Sequence, residues 1–284
     1  MLRHLPVELF MFNNQHPYRQ FVETVKTWHE ANSPLIIGIS GSQGSGKSTL
    51  TKFLVEQLTS KDRLNVIGIS LDDYYFSKEQ RSCIASQIHP LFETRGVPGT
   101  HYIERLKADI EAFKSQKTSM QLPNFDKVSD QPSFNKTTIN HTIDIFIVEG
   151  WCLGMKPLSD EQLFGNENEL EANQDAAGIW RRAYNQALKD KYQEVWQLFD
   201  YVVYLAAPNF DVVSQWRWQQ EAQLAQSNNT QYKTMSKDDI DQFVMYFQRL
   251  TEYGLGELPK VADVTFYLDK NRHISQVSGL SRNR

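Results

Sequence analysis

The chain has 284 residues, 40% of them hydrophobic and 23% charged, with a formal net charge of -4 and a pI near 6.0. That length suits one large domain or two small ones, and the charge balance gives no overall attraction to nucleic acid or to an anionic membrane. Two cysteines, Cys83 and Cys152, are too few for a disulfide framework or a cysteine zinc site and point to the reducing cytoplasm.

Residues 1–6 lack the apolar core of a signal peptide, and no window approaches the roughly 18 apolar residues of a membrane-spanning helix. Residues 17–31 read as an amphipathic helix. The apolar, β-branched run 35–40 predicts a strand buried on both faces. A glycine-rich loop follows, and then Leu50, Phe53, Leu54 and Leu58 mark one face of a helix. A second buried strand is expected at 66–71, so this strand–loop–helix–strand unit argues for a parallel sheet with a right-handed crossover. Residues 76–101 carry Pro90, Gly96, Pro98 and Gly99 and read as a long loop region with room for one short helix, of a length that is usually functional or disordered. A helix with Leu106, Ile110 and Phe113 inward comes next. Further strands are expected at 143–148, 201–206 and 264–268, with helices at about 209–226 and 236–250 between the last two. The polar stretch 156–178 reads as an exposed insertion, and residues 279–284 as a frayed tail.

The loop Gly41-Ser42-Gln43-Gly44-Ser45-Gly46-Lys47-Ser48 satisfies the phosphate-loop pattern in full. Glycines let successive N–H groups face one concavity, and the following helix adds its N-terminal partial charge. Lys47 would reach the β- and γ-phosphates of ATP and Ser48 would bind Mg²⁺, with Thr49 counted in the same nucleotide site. The guanine-reading Asn-Lys-x-Asp is missing, since residues 135–138 read Asn-Lys-Thr-Thr. Asp72 and Asp73 follow the second strand and Glu149 ends the third, where carboxylates lie beside the loop at the carboxyl edge of a parallel sheet. One such carboxylate can take the proton of an attacking hydroxyl; another can hold Mg²⁺.

At these residues the sequence resembles the nucleoside-kinase-like branch of P-loop kinases, which includes uridine kinase, pantothenate kinase and phosphoribulokinase. Asp72-Asp73-Tyr74-Tyr75, the segment 122–127 and Glu149-Gly150 carry that resemblance. Longer strings resemble the D-glycerate 3-kinase family: Arg95-Gly96-Val97-Pro98-Gly99-Thr100-His101, Phe125-Asp126-Lys127, Glu149-Gly150-Trp151-Cys152, Asn168-Glu169-Leu170-Glu171, Trp180-Arg181-Arg182, residues 216–221 and residues 248–251. Two positions depart from the family pattern. Tyr102 stands where the family has Asp, and residues 128–132, Val-Ser-Asp-Gln-Pro, replace a segment that carries Gly and Arg.

The resemblance implies a single kinase domain over 1–284, an α/β three-layer P-loop fold with a parallel sheet of about five strands. An acceptor-side insertion would span about 76–130, a lid insertion about 155–195, and a lid helix about 209–226. MgATP would phosphorylate a hydroxyl of a small metabolite, D-glycerate or a related hydroxy acid first, a nucleoside or pantothenate-type acceptor second. A nucleotide-binding ATPase switch without kinase activity is the alternative from another class. Asp72 would be the general base, with Asp73 its rival, and Glu149 would organise Mg²⁺. Arg95 and His101 would supply cations for an acceptor carboxylate, with Tyr75, Phe125 and Lys127 beside them, and Arg217 would close over the transferring phosphate. Trp151, Trp180 and Trp196 are expected in the core, and Trp216 and Trp218 against the sheet. The chain is expected to be a monomer or homodimer with no nucleic-acid or membrane partner.

Overall fold

The computed structural model describes residues 5–227 and 235–280, with side chains over 16–222 and 235–280. Helix α1 (Leu5–Ala31) turns Tyr18, Phe21, Val22 and Val25 inward. The apolar run forms β1 (Leu35–Gly41), buried along its whole length, and the glycine-rich loop leads into α2 (Lys47–Asp62) and then β2 (Val66–Ser70). A 3-10 turn at Leu71–Tyr74 precedes α3 (Lys78–Gln87) and α4 (Ile103–Lys114). Four short strands follow, β3 (Met120–Leu122), β4 (Phe125–Asp126), β5 (Gln131–Pro132) and β6 (Thr137–Ile139), with the β4–β5 pair nested inside the β3–β6 pair. Next come β7 (Ile145–Gly150), α5 (Asp160–Leu163), α6 (Glu169–Gln174), α7 (Ile179–Ala187) and α8 (Gln193–Trp196). The chain ends with β8 (Tyr201–Ala206), α9 (Asp211–Ser227), α10 (Lys237–Met245), α11 (Gln248–Val261), β9 (Val264–Leu268) and β10 (Ile274–Ser278).

Among the described residues the main sheet has six strands in the order β10-β9-β8-β1-β7-β2. All pairings are parallel except β10 on β9. The period-2 alternation of side chains divides the core between two faces. Leu35, Ile37, Ile39, Ile145 and Ile147 pack with Leu50, Leu54 and Leu58 of α2 and the buried face of α1. Ile36, Phe146 and Val148 pack on the opposite face with Leu106, Ile110 and Phe113 of α4, Trp180 of α7, and Leu250 of α11. Parallel register brings Ser40 opposite Gly150 and Ser70 opposite Glu149, so the loops after β1, β2 and β7 meet at one edge of the sheet. That edge is where open α/β sheets bind ligands.

Four expectations need correction. The sheet is mixed, because β10 folds back antiparallel through a tight turn; its residues Ile274–Ser278 are mostly polar and carry no apolar run. The stretch 156–178 is not wholly exposed, since Leu158, Leu163, Leu170, Glu171 and Asp175 are buried. The single helix expected at 236–250 is two, broken at Tyr246 and Phe247, which sets the Phe247 ring edge-on to Trp151 at 5.0 Å. Gly279 and Leu280 are not frayed: Gly279 lies against Asp263 and Leu280 packs on the core, while the rest of the expected tail lies outside the described residues. No described helix is long and apolar enough to cross a membrane.

Candidate active site

The loop between β1 and α2 is shaped by two glycines in the left-handed region, Gly44 at φ 73° and Gly46 at φ 97°. A Cβ on Gly44 would stand 2.7 Å from Cβ of Trp216, so α9 packs directly on the loop backbone. Gly46 is the N-cap of α2 and makes no side-chain cap bond, which leaves the first N–H groups of that helix facing the loop. Ser42 Oγ, Gln43 Oε1 and Ser45 Oγ are buried without a hydrogen-bond partner among the described residues. Polar atoms left unpaired in this way are costly unless a ligand meets them. Lys47 Nζ donates to Ser42 O at 3.0 Å. Burial pulls the Lys47 ammonium below the usual lysine range, opposed by the charges of Glu149 and Asp72. Ser48 Oγ donates to Glu149 Oε1 at 2.9 Å.

Gln43, Gly44, Lys47, Ser48, Asp72, Tyr75, Arg95, Lys127, Glu149 and Arg217 line one cleft, together with Val128, Gly150, Trp151, Gln220, Phe243 and Phe247. Asp72 is its best-defined carboxylate. Tyr75 Oη donates to Asp72 Oδ1 and Lys127 Nζ to Oδ2, both at 2.6 Å. Burial alone would raise the Asp72 carboxyl, but the Lys127 charge and these two hydrogen bonds outweigh it and hold it below the usual carboxylate range. The same pairing raises the Lys127 ammonium above its usual range.

Asp73 points elsewhere. Its carboxylate accepts from Ser70 N at 3.2 Å and from Phe125 N at 3.4 Å, in a capping box with Ser70 at the start of the 3-10 turn. Burial raises its carboxyl. Asp73 thus anchors the β2 exit to β4 rather than facing the cleft.

Arg95 enters the cleft with its guanidinium 5.6 Å from the centroid of the Phe125 ring and its Nη1 on Asp130. The other Asp130 oxygen is held by the buried Arg81, which also donates to Phe76 O at 2.7 Å and Glu93 O at 3.0 Å. Phe125 is itself buried under Arg95 and edge-on to Tyr75. His101 is 1% exposed and its ring lies 4.8 Å from that of Tyr75. Its Nδ1 is 2.8 Å from Tyr192 Oη, and burial pushes its pKa down to about 4. His101 is neutral at physiological pH, so the expectation of a cation there is corrected. Tyr102 also lies away from the cleft: its ring sits edge-on to Phe76 and its hydroxyl bonds Gln80 of α3. Thr49 lies in the first turn of α2, outside the lining residues.

Arg217 lines the far wall. Its Nη1 is 2.8 Å from Glu221 Oε2 and its guanidinium lies 5.6 Å from the Phe243 centroid. Trp216 is fully buried, whereas Trp218 is 42% exposed, contrary to the expectation that both pack inward. Trp151, expected only in the core, is buried and also lines the cleft, its Nε1 donating to Gly96 O at 2.8 Å. Phe243, Phe247 and Asp130 were not read from the sequence. The two phenylalanines sit in an ordinary helical pattern, and Asp130 gains its meaning only when the β4–β5 turn brings it to Arg95.

A family model described as Nephrocystin 3, N-terminal, matches residues 20–147, the part that contains β1, the glycine-rich loop and β2 and ends within β7, before Glu149. The "Uncharacterized kinase mug58" of Schizosaccharomyces pombe is 32% identical over 257 residues, which cover 84% of this chain and 90% of that protein. The "Probable ATP-dependent kinase TDA10" of Saccharomyces cerevisiae is 27% identical over 271 residues, covering 88% and 90%. Among solved structures, the D-glycerate 3-kinase of Cryptococcus neoformans superposes with a TM-score of 0.76 at 23% identity, covering 93% of this chain and 98% of that one.

Proposed function

We propose a substrate for a chain that belongs to the glycerate-kinase-like family of P-loop small-molecule kinases: MgATP phosphorylates a hydroxyl of D-glycerate or a related hydroxy acid. The protein is an ATP-dependent phosphotransferase with a small hydroxyl compound as acceptor. The observation that carries the acceptor side is the Asp72–Lys127 pair and Arg95, which line one cleft with Lys47, Ser48 and Glu149.

The residues present fit MgATP. The unpaired hydroxyls of Ser42 and Ser45, the left-handed glycines and the uncapped start of α2 suit a phosphate chain. Among the described residues no group of three His, Cys, Asp or Glu side chains clusters as a metal site. Ser48 beside Glu149 nonetheless suits Mg²⁺, which is held by one or two protein oxygens, phosphate oxygens and water. MgATP, when bound, supplies the electrophilic phosphoryl group. The chain's own residues do the rest. Lys47 cradles the phosphates and Glu149 orients the Ser48 hydroxyl. Asp72, held anionic, receives the proton of the acceptor hydroxyl, while Lys127 keeps it ionised and Tyr75 fixes its direction. Arg95 offers its remaining N–H groups to the acceptor carboxylate. Arg217, on a lid helix over the cleft, offsets charge on the transferring group. We read the whole chain as one kinase domain, with 76–130 on the acceptor side and 155–195 with α9 as the lid. Its free thiols at Cys83 and Cys152 fit work in the cytoplasm.

The test is ADP release from MgATP across a panel of hydroxy acids, nucleosides and sugars. Release that depends on glycerate or a near relative supports the proposal. Equal slow release with and without every acceptor would sink it in favour of an ATPase switch. Asp72→Asn should abolish transfer and leave ATP binding nearly intact; if Asp73→Asn does so instead, the base is misassigned.

A further inference from the structure

The turn between β9 and β10 reaches the back of the phosphate loop. Arg272, in that turn, has φ 66°, in the left-handed region that glycine or asparagine usually takes. A bulky side chain held in such a place by long-range partners points to function rather than to the turn itself. Its Nε donates to Gly44 O at 2.6 Å, its Nη1 to Gln219 Oε1 at 2.8 Å, and its Nη2 to Trp216 O at 3.4 Å. The guanidinium carbon lies 5.1 Å from the Trp216 ring centroid, and the Trp216 indole donates back to Lys270 O at 2.9 Å. One planar cation thus joins the loop, the turn and α9, the helix that carries Arg217.

The bond to Gly44 O has a consequence across the peptide. In a trans peptide the C=O and the next N–H point in opposite directions. A cation that holds Gly44 O on one side therefore fixes the Ser45 N–H on the other, where it closes the turn of the loop by donating to Ser42 O at 3.3 Å. The other arm, through Gln219 and Trp216 O, fixes the turn of α9 from which Arg217 projects.

We propose that Arg272 is a positioning residue of the nucleotide site, which sets the Gly44–Ser45 peptide for phosphate and holds Arg217 in register with the loop. This rests on the reading of the cleft as a MgATP site. Lysine cannot substitute in full, because a point charge on a flexible stem does not reproduce the planar fork that spans three acceptors.

The experiment compares wild type, Arg272→Gln, Arg272→Lys and Gln219→Ala by calorimetric titration with MgADP, steady-state kinetics and thermal melting. Arg272→Gln should weaken nucleotide binding about tenfold or more, the loss expected for a charged hydrogen bond, and lower kcat, with the acceptor KM within about twofold of wild type. Arg272→Lys should fall between the two. Gln219→Ala, which removes the shorter of the two bonds to α9 and leaves the bond to Gly44 O, should lower kcat and leave MgADP affinity near wild type. Arg272 variants that melt earlier but bind MgADP and turn over normally while folded would overturn the proposal, and so would full rescue by lysine. A wild-type protein that binds neither MgATP nor MgADP would overturn the nucleotide reading itself, and this proposal with it.

Discussion

Lys127→Met removes the cation that keeps Asp72 ionised, and its effect can be worked from the geometry. The ammonium lies 2.6 Å from Asp72 Oδ2, with 57% of the Lys127 side chain and 28% of the Asp72 side chain exposed. Breaking a fully buried pair costs about 3–5 kcal/mol. Solvent reaches more than half of Lys127, so screening reduces this to about 1–2 kcal/mol. Burial is the largest influence on the Asp72 carboxyl, so with the Lys127 charge and its hydrogen bond both gone the carboxyl should rise back toward the usual carboxylate range. A group whose folded-state pKa is depressed stays ionised, and contributes its stability, until the pH falls through that depressed value. In wild type, then, the acid limb set by Asp72 lies below the usual carboxylate range. In Lys127→Met burial is opposed by Tyr75 and Lys47 alone, and the limb moves up. The assay is kcat/KM against pH between about 4.5 and 8 for both proteins. The variant should lose more activity at the acid end than at neutral pH. Superimposable profiles, whatever their absolute rates, would refute the claim that Lys127 tunes the base.

Two further outcomes follow from packing. Gly44→Ala places a methyl 2.7 Å from Cβ of Trp216, closer than contact distance, at a left-handed φ; the clash, added to backbone strain of about 1–2 kcal/mol, displaces the loop and should cut MgADP affinity by at least about tenfold, measured by calorimetry, while the melting point falls by several degrees. Arg249→Met strands Glu171, which is 1% exposed and accepts from Arg249 Nε at 2.9 Å. The cost is about 3–5 kcal/mol, read as a fall of roughly 10 °C in Tm; Arg249→Met with Glu171→Gln should recover much of it, and a single variant as stable as wild type would show the pair contributes nothing.

What could be read ahead of the structure follows from how local each signal is. β1, β7, β8 and β9 announced themselves as apolar runs because both of their faces are largely buried; β2, expected to be buried as well, carries the same kind of run but lies at the sheet edge opposite β10 with only Ile69 buried. The loop at residues 41–48 announced itself because its backbone needs glycine at fixed spacing. The polar strand β10 sits at a sheet edge, half exposed, and carries no such signature. On the chain Asp73 is the neighbouring rival of Asp72; only the pairing of β4 beside the 3-10 turn shows one carboxylate spent as a cap and the other held by Lys127.

The same logic explains why the charged pairs were illegible. Arg95 was read as a free cation for an acceptor, yet it is held by Asp130, 35 residues on and within the segment 128–132 that departs from the family pattern. The departure replaces a segment that carries Arg in the family pattern. It supplies an anion, and that anion is gripped from behind by the buried Arg81. Arg272 and Gly44 are 228 residues apart. Neither pairing has a period or a motif, because each depends on which turns the sheet topology brings to one edge. On the proposed reading, an acceptor carboxylate would meet an Arg95 already committed on one side, which favours a small acceptor approaching from the Lys127 side over one that needs the whole guanidinium. Asp130→Asn tests this directly. Freed of its partner, Arg95 should accept bulkier hydroxy acids, and an unchanged acceptor preference would show that Asp130 has no part in selecting substrate.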